Sequence, residues 1–367
     1  MTSSFFSSRA SLFALSSILA LSGCASAGES GKKLQTAAQT RKAVKPVQGD
    51  EFANFKQWRE VADFIDQMVE KNGFDKTELQ NTLSKTHYVD RVIQLMKPAP
   101  PGKPKNWAAY RSRFVEPVRI DAGVAFWNTY ADALTRAEKL YGVPAEIIVA
   151  IIGVETVYGR NTGNFRVMDA ITTLAFAYPE TPNRTARMSY FRGELENTLL
   201  FSRDEKIDPF SLLGSYAGAI GWPQFMPGSI RRFAVDFDGN GHIDLRNSPV
   251  DAIGSVANFL VQHGWRTGEP IVFPAKVDMT ENWQRFINQG LSAKFSLAEM
   301  KEAGVTPLAE PPADMQFGLV DLQNGAEASE YWLGAPNFFA ITQYNRSFFY
   351  AMSVIDLSRA VRAARNY

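Results

Sequence analysis

Ile147-Ile148-Val149-Ala150-Ile151-Ile152-Gly153-Val154-Glu155 is an apolar run whose only ionisable side chain comes last. If the run is helical, residues three and four positions from Glu155 share its face. Those are Ile151, Ile152, Tyr158 and Gly159, so the carboxyl projects among apolar groups. Desolvation disfavours the ionised form, and a carboxyl so placed keeps its proton at higher pH than a free glutamate. General-acid cleavage of a glycosidic bond needs a protonated carboxyl in a cleft. The competing reading is a buried glutamate paired with Arg or Lys for structure, since such pairs also perturb pKa values.

Working outward, a helix from about Ala122 to Tyr141 is stopped by Gly142, and Pro144 suits the first turn of the helix carrying Glu155. The Gly159-Arg160-Asn161-Thr162-Gly163-Asn164 stretch ends that helix. Upstream, Trp58, Val61, Ala62, Ile65, Met68 and Val69 recur at helical spacing within Phe52–Met96. The prolines of Lys97–Lys105 mark a loop. Helical pattern returns over Met168–Ala177, Thr185–Phe201 and Val250–His263. Between Gly268 and Pro336 the character changes. Ile271-Val272-Phe273, Phe317-Gly318-Leu319-Val320 and Tyr331-Trp332-Leu333 are separated by polar turns and read as short strands. Helices resume from Phe338 to Tyr344 and from Ser347 to Ala364. The fold class is mainly α (α+β), with a small β-rich insertion before the last helices.

The amino terminus gives an address. Arg9 precedes an apolar stretch, Ser11–Leu21, too short to span a bilayer and suited to a signal peptide. It ends in Leu21-Ser22-Gly23-Cys24, similar to a bacterial lipobox, in which cleavage precedes lipidation of the cysteine. Cys24 is the only cysteine of 367 residues, so an intramolecular disulfide is excluded. Ala25 at the next position resembles the outer-membrane sorting signal of lipoproteins. Residues 24–50 are rich in Ser, Ala, Gln and Lys and read as a flexible tether. A net charge of +1 argues against a nucleic-acid surface.

Two further constellations carry chemistry. Gly214-Ser215-Tyr216-Ala217-Gly218-Ala219-Ile220-Gly221-Trp222-Pro223-Gln224-Phe225-Met226-Pro227 places glycines for close backbone approach beside Tyr216, Trp222 and Phe225, flat faces for sugar rings. Ser215 and Gln224 suit hydroxyl and acetamido groups; tight helix packing is the plainer reading. Asp236-Phe237-Asp238-Gly239-Asn240-Gly241-His242-Ile243-Asp244 matches the start of an EF-hand calcium loop, with oxygen side chains at positions one, three, five and nine and glycine at six. His242 at position seven offers its backbone carbonyl. Asn247 stands at position twelve in place of glutamate, and Asp251 lies where it could close an enlarged loop. Ser248, Pro249 and Asp251 equally fit a helix start with Asp251 at N3 of a capping box. The expected ion is structural Ca2+, bound at roughly 10⁻⁴–10⁻³ M.

These blocks, with Asp251-Ala252-Ile253-Gly254-Ser255-Val256-Ala257-Asn258 and Tyr344-Asn345, occur in the order that resembles the membrane-bound lytic murein transglycosylase B family. The resemblance covers roughly Phe52 to Leu357. It implies a lysozyme-like helical core over 139–268 and 336–367 with an EF-hand-like loop at 236–251. It further implies an accessory α domain over 51–138 and a small β domain over 269–335. The implied reaction cleaves the β-1,4 bond between N-acetylmuramic acid and N-acetylglucosamine and ends in a 1,6-anhydro ring. The implied partners are peptidoglycan glycan strands and the outer membrane, through a lipid anchor on Cys24 facing the periplasm. On this matching Glu155 is the acid/base, and Ser215, Gln224, Tyr344, Asn345, Tyr110 and Arg187 contact glycan or peptide. Met188 breaks the arginine pair common at that position, and Trp222-Pro223 departs from the smaller residues expected. Two other functions compete: a lysozyme-type hydrolase using Asp169 or Glu194 as second carboxylate, and a non-catalytic peptidoglycan-binding lipoprotein.

Overall fold

A computed structural model describes Phe55, residues 59–98 and residues 104–366. The leader, Cys24 and the tether lie outside the described residues. Helices α1 (Arg59–Asn72), α2 (Lys76–Leu83) and α3 (Asp90–Met96) come first. The amphipathic face of α1 buries Val61, Phe64, Ile65 and Met68, and Asp75 caps α2 by accepting from the amide of Glu78 at 2.8 Å. Then follow α4 (Trp107–Arg111), α5 (Pro117–Thr129), α6 (Ala131–Tyr141) and α7 (Ala145–Thr156).

The single helix expected over 122–141 is two. The chain leaves helical geometry at Tyr130 (φ −112°, ψ 28°), while the flanking bonds Tyr130 N to Phe126 O and Leu134 N to Tyr130 O persist on either side. The first of the two also starts earlier. Glu116 accepts from the amides of Val118 and Arg119, and Pro117 occupies the first turn.

Past α7 come β1 (Phe165–Arg166), α8 (Val167–Ala177), α9 (Arg184–Asp204), β2 (Leu213–Gly214), α10 (Pro227–Phe233) and α11 (Pro249–Gln262). The two-residue ladder β1–β2 pairs Phe165 with Gly214. It draws the segment after α7 onto the start of the glycine-rich stretch. Gly163 permits this approach: it sits at φ +91°, and a Cβ there would lie 2.1 Å from the Gly214 carbonyl oxygen.

The β-rich insertion contains β3 (Val272–Val277), β4 (Phe295–Ser296), α12 (Leu297–Glu302), β5 (Val305–Pro307), β6 (Gln316–Asn324) and β7 (Glu327–Gly334). All its pairings are antiparallel, in the order β4-β6-β7-β3-β5. The three strands expected from sequence are its three central ones. The chain closes with α13 (Pro336–Thr342) and α14 (Phe348–Arg365).

α7 is the centre of the molecule. Ile148, Val149, Ala150, Ile151 and Ile152 have no exposed surface, and α14, α5, α11 and α6 pack around them. One continuous apolar core runs from Phe55 through α7 to Val361, and a second, smaller core lies in the β-rich insertion around Phe286, Met300, Phe317 and Leu333. None of the described helices is long and apolar enough to cross a membrane.

Candidate active site

Glu155 sits on the last turn of α7, beside the first turn of α14. Its Oε1 accepts a hydrogen bond from Tyr350 Oη at 2.7 Å. Among the described residues no cation pairs with it. Burial pushes its carboxyl up to about 7, and the Tyr350 hydrogen bond pulls the value part-way back. Three phenols stand close enough for the carboxylate to act on them. Tyr110 is pushed up to about 12, by burial first and Glu155 second. Tyr344 and Tyr350 are raised for the same two reasons in the same order. Their rings stack, with centroids 6.2 Å apart and planes 13° from parallel, and Tyr344 Oη donates to the Pro223 carbonyl at 2.5 Å. Glu155 is thus ringed by neutral, protonated donors.

The chain leaves α7 abruptly. Val157 (φ 52°), Tyr158 (φ 55°) and Gly159 (φ 79°) are all left-handed. For a β-branched residue this is an outlier, of a kind that persists only where the surroundings impose it.

The glycine-rich segment forms a tight loop against this exit. Ser215 Oγ accepts from the amides of Ala219 (3.0 Å) and Ala217 (3.3 Å), which fixes the turn and leaves its own proton to donate. Gln224, at φ 51°, donates its amide to Gly221 O (2.8 Å) and Thr162 O (3.1 Å), leaving its side-chain oxygen as the acceptor. Asn345 is half-buried beside Tyr344, and its carbonyl accepts from Ser347 N at 2.7 Å.

Two of the expected sugar-stacking faces are corrected. Phe225 is buried against Phe259 and Tyr344. Trp222 packs on Phe126 at 5.8 Å and donates Nε1–H to Arg246 O at 3.1 Å. Arg187 is largely buried; its Nε donates to Tyr178 Oη at 3.2 Å, and its guanidinium lies over Tyr178, Tyr190 and Phe191.

Both candidates for the second carboxylate of a hydrolase, Asp169 and Glu194, are already engaged. Asp169 receives Arg166 bidentately, at 2.8 Å on each oxygen, and the amide of His87 at 3.0 Å. Glu194 accepts from the amide of Gly228 at 2.7 Å, tying α9 to the start of α10. A cavity of about 580 Å³ bounded by His263, Arg266, Glu269, Asp314 and Phe339 has neither Glu155 nor Tyr110, Tyr344 or Tyr350 in its lining. The chemistry therefore singles out Glu155 rather than that cavity.

Residues 54–359 match the family described as Transglycosylase SLT domain. Membrane-bound lytic murein transglycosylase B of Escherichia coli (strain K12) is 45% identical over 325 residues, 86% of each chain. The chain belongs to the transglycosylase SLT domain family. The solved structure of the Escherichia coli lytic transglycosylase Slt35 in complex with calcium superposes with a TM-score of 0.76 at 44% identity, covering 86% of this chain and 96% of that one. SltB3 of Pseudomonas aeruginosa in complex with NAG-anhNAM-pentapeptide gives 0.69 at 27% identity, covering 84% and 80%. This lytic transglycosylase is an enzyme acting on peptidoglycan, and the likeness supports the lysozyme-like description of its mainly helical fold.

In the transglycosylase's acidic loop, carboxylate oxygens of Asp236, Asp238 and Asp251 lie within 4.8 Å of one another. Asp236 accepts from the amides of Gly239, Asn240 and Gly241, and the Gly241 bond leads in holding its carboxyl below the usual range. Asn240 Oδ1 receives the amide of His242. The His242 imidazole is exposed, 3.7 Å from Glu205. Asp244 stands outside the carboxylate cluster, receiving the Arg246 amide and the amide and side chain of Asn247. Only half of the expected capping box forms. Ser248 Oγ accepts from Asp251 N at 3.1 Å, but the Asp251 carboxylate turns into the loop instead.

Tyr350 is the site residue that sequence reading missed. Within Phe348-Phe349-Tyr350 it resembles core packing; its signal is the Ser347 cap, which starts α14 just before it. Replacing it with phenylalanine removes a bond that favours the charged carboxylate. The Tyr350→Phe enzyme is expected to lose about tenfold in turnover, the size of one bond to a charged group. The alkaline limb of its pH–rate profile should move to higher pH; a limb that stays put or moves down would contradict this placement.

Proposed function

We propose that Glu155 alone cleaves the β-1,4 bond between N-acetylmuramic acid and N-acetylglucosamine, first as acid and then as base. The observation that carries the proposal is its carboxyl, lifted to about 7 by burial, with a neutral phenol on one oxygen and, among the described residues, no second free carboxylate acting on it. Near neutral pH both protonation states are accessible, as a group with both duties requires. Tyr350 occupies Oε1, so Oε2 faces the substrate. Protonated Glu155 gives its proton to the leaving glycosidic oxygen while the muramyl acetamido oxygen stabilises or attacks C1. The carboxylate then takes the C6 hydroxyl proton as that oxygen closes on C1. Ordinary glycosidases place a second carboxylate 5–9.5 Å away; here the substrate supplies the nucleophile. Ser215 would hold the acetamido group, with Gln224, Tyr344, Asn345, Tyr110 and Arg187 along the glycan or its peptide.

The pH dependence has a definite sign. The form that starts the reaction is protonated, so kcat/KM should fall as pH rises through about 7. A profile still flat to pH 9 would remove Glu155 as the acid.

For the 236–251 loop we propose calcium. Asp236, Asp238 and Asp251 bring hard oxygen donors within one coordination sphere, and the Slt35 relative was solved with calcium. The ion would cross-link loop and α11 rather than meet the substrate. Lipidation at Cys24, with the enzyme held on the outer membrane facing the periplasm, rests on the lipobox-like segment and the membrane-bound character of the Escherichia coli relative.

The test is mass spectrometry of products from digested murein sacculi. Anhydro-muropeptides, lighter by one water than hydrolytic products, are expected. Reducing-end products would mark a hydrolase, and sacculi that bind the protein but never clear would mark a binder.

A further inference from the structure

We infer that Trp222 is a positioning residue that transmits the conformation of the 236–251 loop to Glu155. The inference rests on Glu155 being the acid/base.

All three hydrogen-bonding groups of Trp222 are committed, and they join two distant segments. Its backbone amide donates to Leu245 O at 2.9 Å, and its indole Nε1–H donates to Arg246 O at 3.1 Å. Both carbonyls belong to the acidic loop, immediately after Asp244. In the other direction its own carbonyl accepts from Thr156 Oγ1 at 3.0 Å. Thr156 follows Glu155 in the chain and also receives the amide of Gly159 at 3.0 Å.

Shape complements these bonds. A Cβ on Gly159 would lie 2.6 Å from the indole, so the ring fills the space that this glycine leaves. A Cβ on Gly221, at φ +75°, would lie 2.2 Å from Leu245 O, so the preceding residue must also be glycine for the loop to come this close. The indole is braced from the far side by Phe126 on α5.

The position matters because of what Trp222 holds in place. Val157 and Tyr158 sit in left-handed conformations that persist only where the surrounding structure imposes them. The Thr156–Trp222 contact fixes the residue immediately before them. If it is released, Val157 can return to right-handed geometry and the end of α7 can shift. Glu155 then loses its register with Tyr350, and its half-buried carboxyl becomes more open to water.

The experiment compares Trp222→Phe, which keeps a ring but loses the Nε1–H donor, with Thr156→Val, which keeps the shape but loses the hydroxyl. Both are assayed on sacculi across pH and followed by amide hydrogen exchange. Trp222→Phe, which loses one hydrogen bond, is expected to lower kcat about tenfold. Thr156→Val, which loses the bonds to Trp222 O and Gly159 N, should lower it by at least as much, each with KM within about twofold of the parent. Burial is the larger of the two influences on Glu155, so added solvent should outweigh the lost Tyr350 bond and move the alkaline limb to lower pH. Exchange over residues 153–159 should accelerate. A residue that only packs the fold would lower the melting point without moving kcat or the limb. Parental kcat, pH limb and exchange in both variants, with Glu155→Gln inactive, would overturn the inference alone. An active Glu155→Gln enzyme would instead overturn the catalytic reading. Should Trp222→Phe fail to fold, Thr156→Val decides by the same criteria.

Discussion

Glu155→Gln is expected to lower the release of anhydro-muropeptides by at least about 10²–10⁴-fold, the contribution of a positioned proton donor. The loss should be larger than for any neighbouring substitution, because one carboxyl serves both proton transfers. Glutamine keeps the volume and can still receive the Tyr350 hydroxyl on its carbonyl oxygen, so the pocket should stay formed. The linkage sign supports a folded variant. The carboxyl is raised from 4.5 to about 7 in the folded chain. Its contribution to stability is therefore complete below pH 4.5 and is lost as pH rises through about 7. A neutral amide avoids this loss, and the variant should melt no lower than the parent at pH 7.5. Substrate binding should be nearly unchanged, measured by co-sedimentation with sacculi. A variant that retains even a tenth of parental activity would remove Glu155 from the chemistry.

The second large effect is on stability. Asp251 has no exposed surface. Its Oδ1 receives the amides of Phe237 (2.9 Å) and Asp238 (3.0 Å), and its Oδ2 receives that of Asp244 (3.0 Å). The carboxylate thus holds both arms of the loop onto the first turn of α11. Asp251→Ala orphans three amides, each costing about 1–3 kcal/mol where it stays buried, for a total loss on the order of 3–5 kcal/mol. The substitution also removes one of the three clustered carboxylates. In the parent, a chelator should lower the thermal midpoint; in the variant, the midpoint should already be low and respond little. Equal midpoints for parent and variant, with and without calcium, would contradict both roles.

Several features were legible in the sequence for physical reasons. A lone charge closing an apolar helix is legible as a candidate for desolvation, and burial does raise Glu155. But α7 ends at Thr156, so Tyr158 and Gly159 do not continue its helical face, and Tyr350 meets Glu155 instead. The strands around 271–273, 317–320 and 331–333 were marked by β-branched and aromatic runs between polar turns. The acidic loop was legible from its spacing, though Asp244 turns to Arg246 and Asn247 rather than joining the carboxylate cluster. Other features depend on contacts that spacing does not encode. Tyr350 meets Glu155 only because α14 packs on α7, the two lying 195 positions apart in the chain. Trp222 and Phe225 looked like sugar platforms, but Gly159, Phe126 and Phe259 supply partners that turn them inward. The β1–β2 ladder is too short for any periodicity, and the break at Tyr130 carries no proline or glycine.

The most direct measurement is titration of the Glu155 carboxyl itself, by carbon NMR of enzyme carrying labelled glutamate, assigned by its absence in Glu155→Gln. A half-buried carboxyl bound to Tyr350, with no cation paired to it among the described residues, should titrate near 7. It should titrate higher in Tyr350→Phe. A midpoint near 4.5 in the folded, active enzyme would mean that the group is solvated and ionised under working conditions, and a lone acid serving two proton transfers could not then carry the reaction.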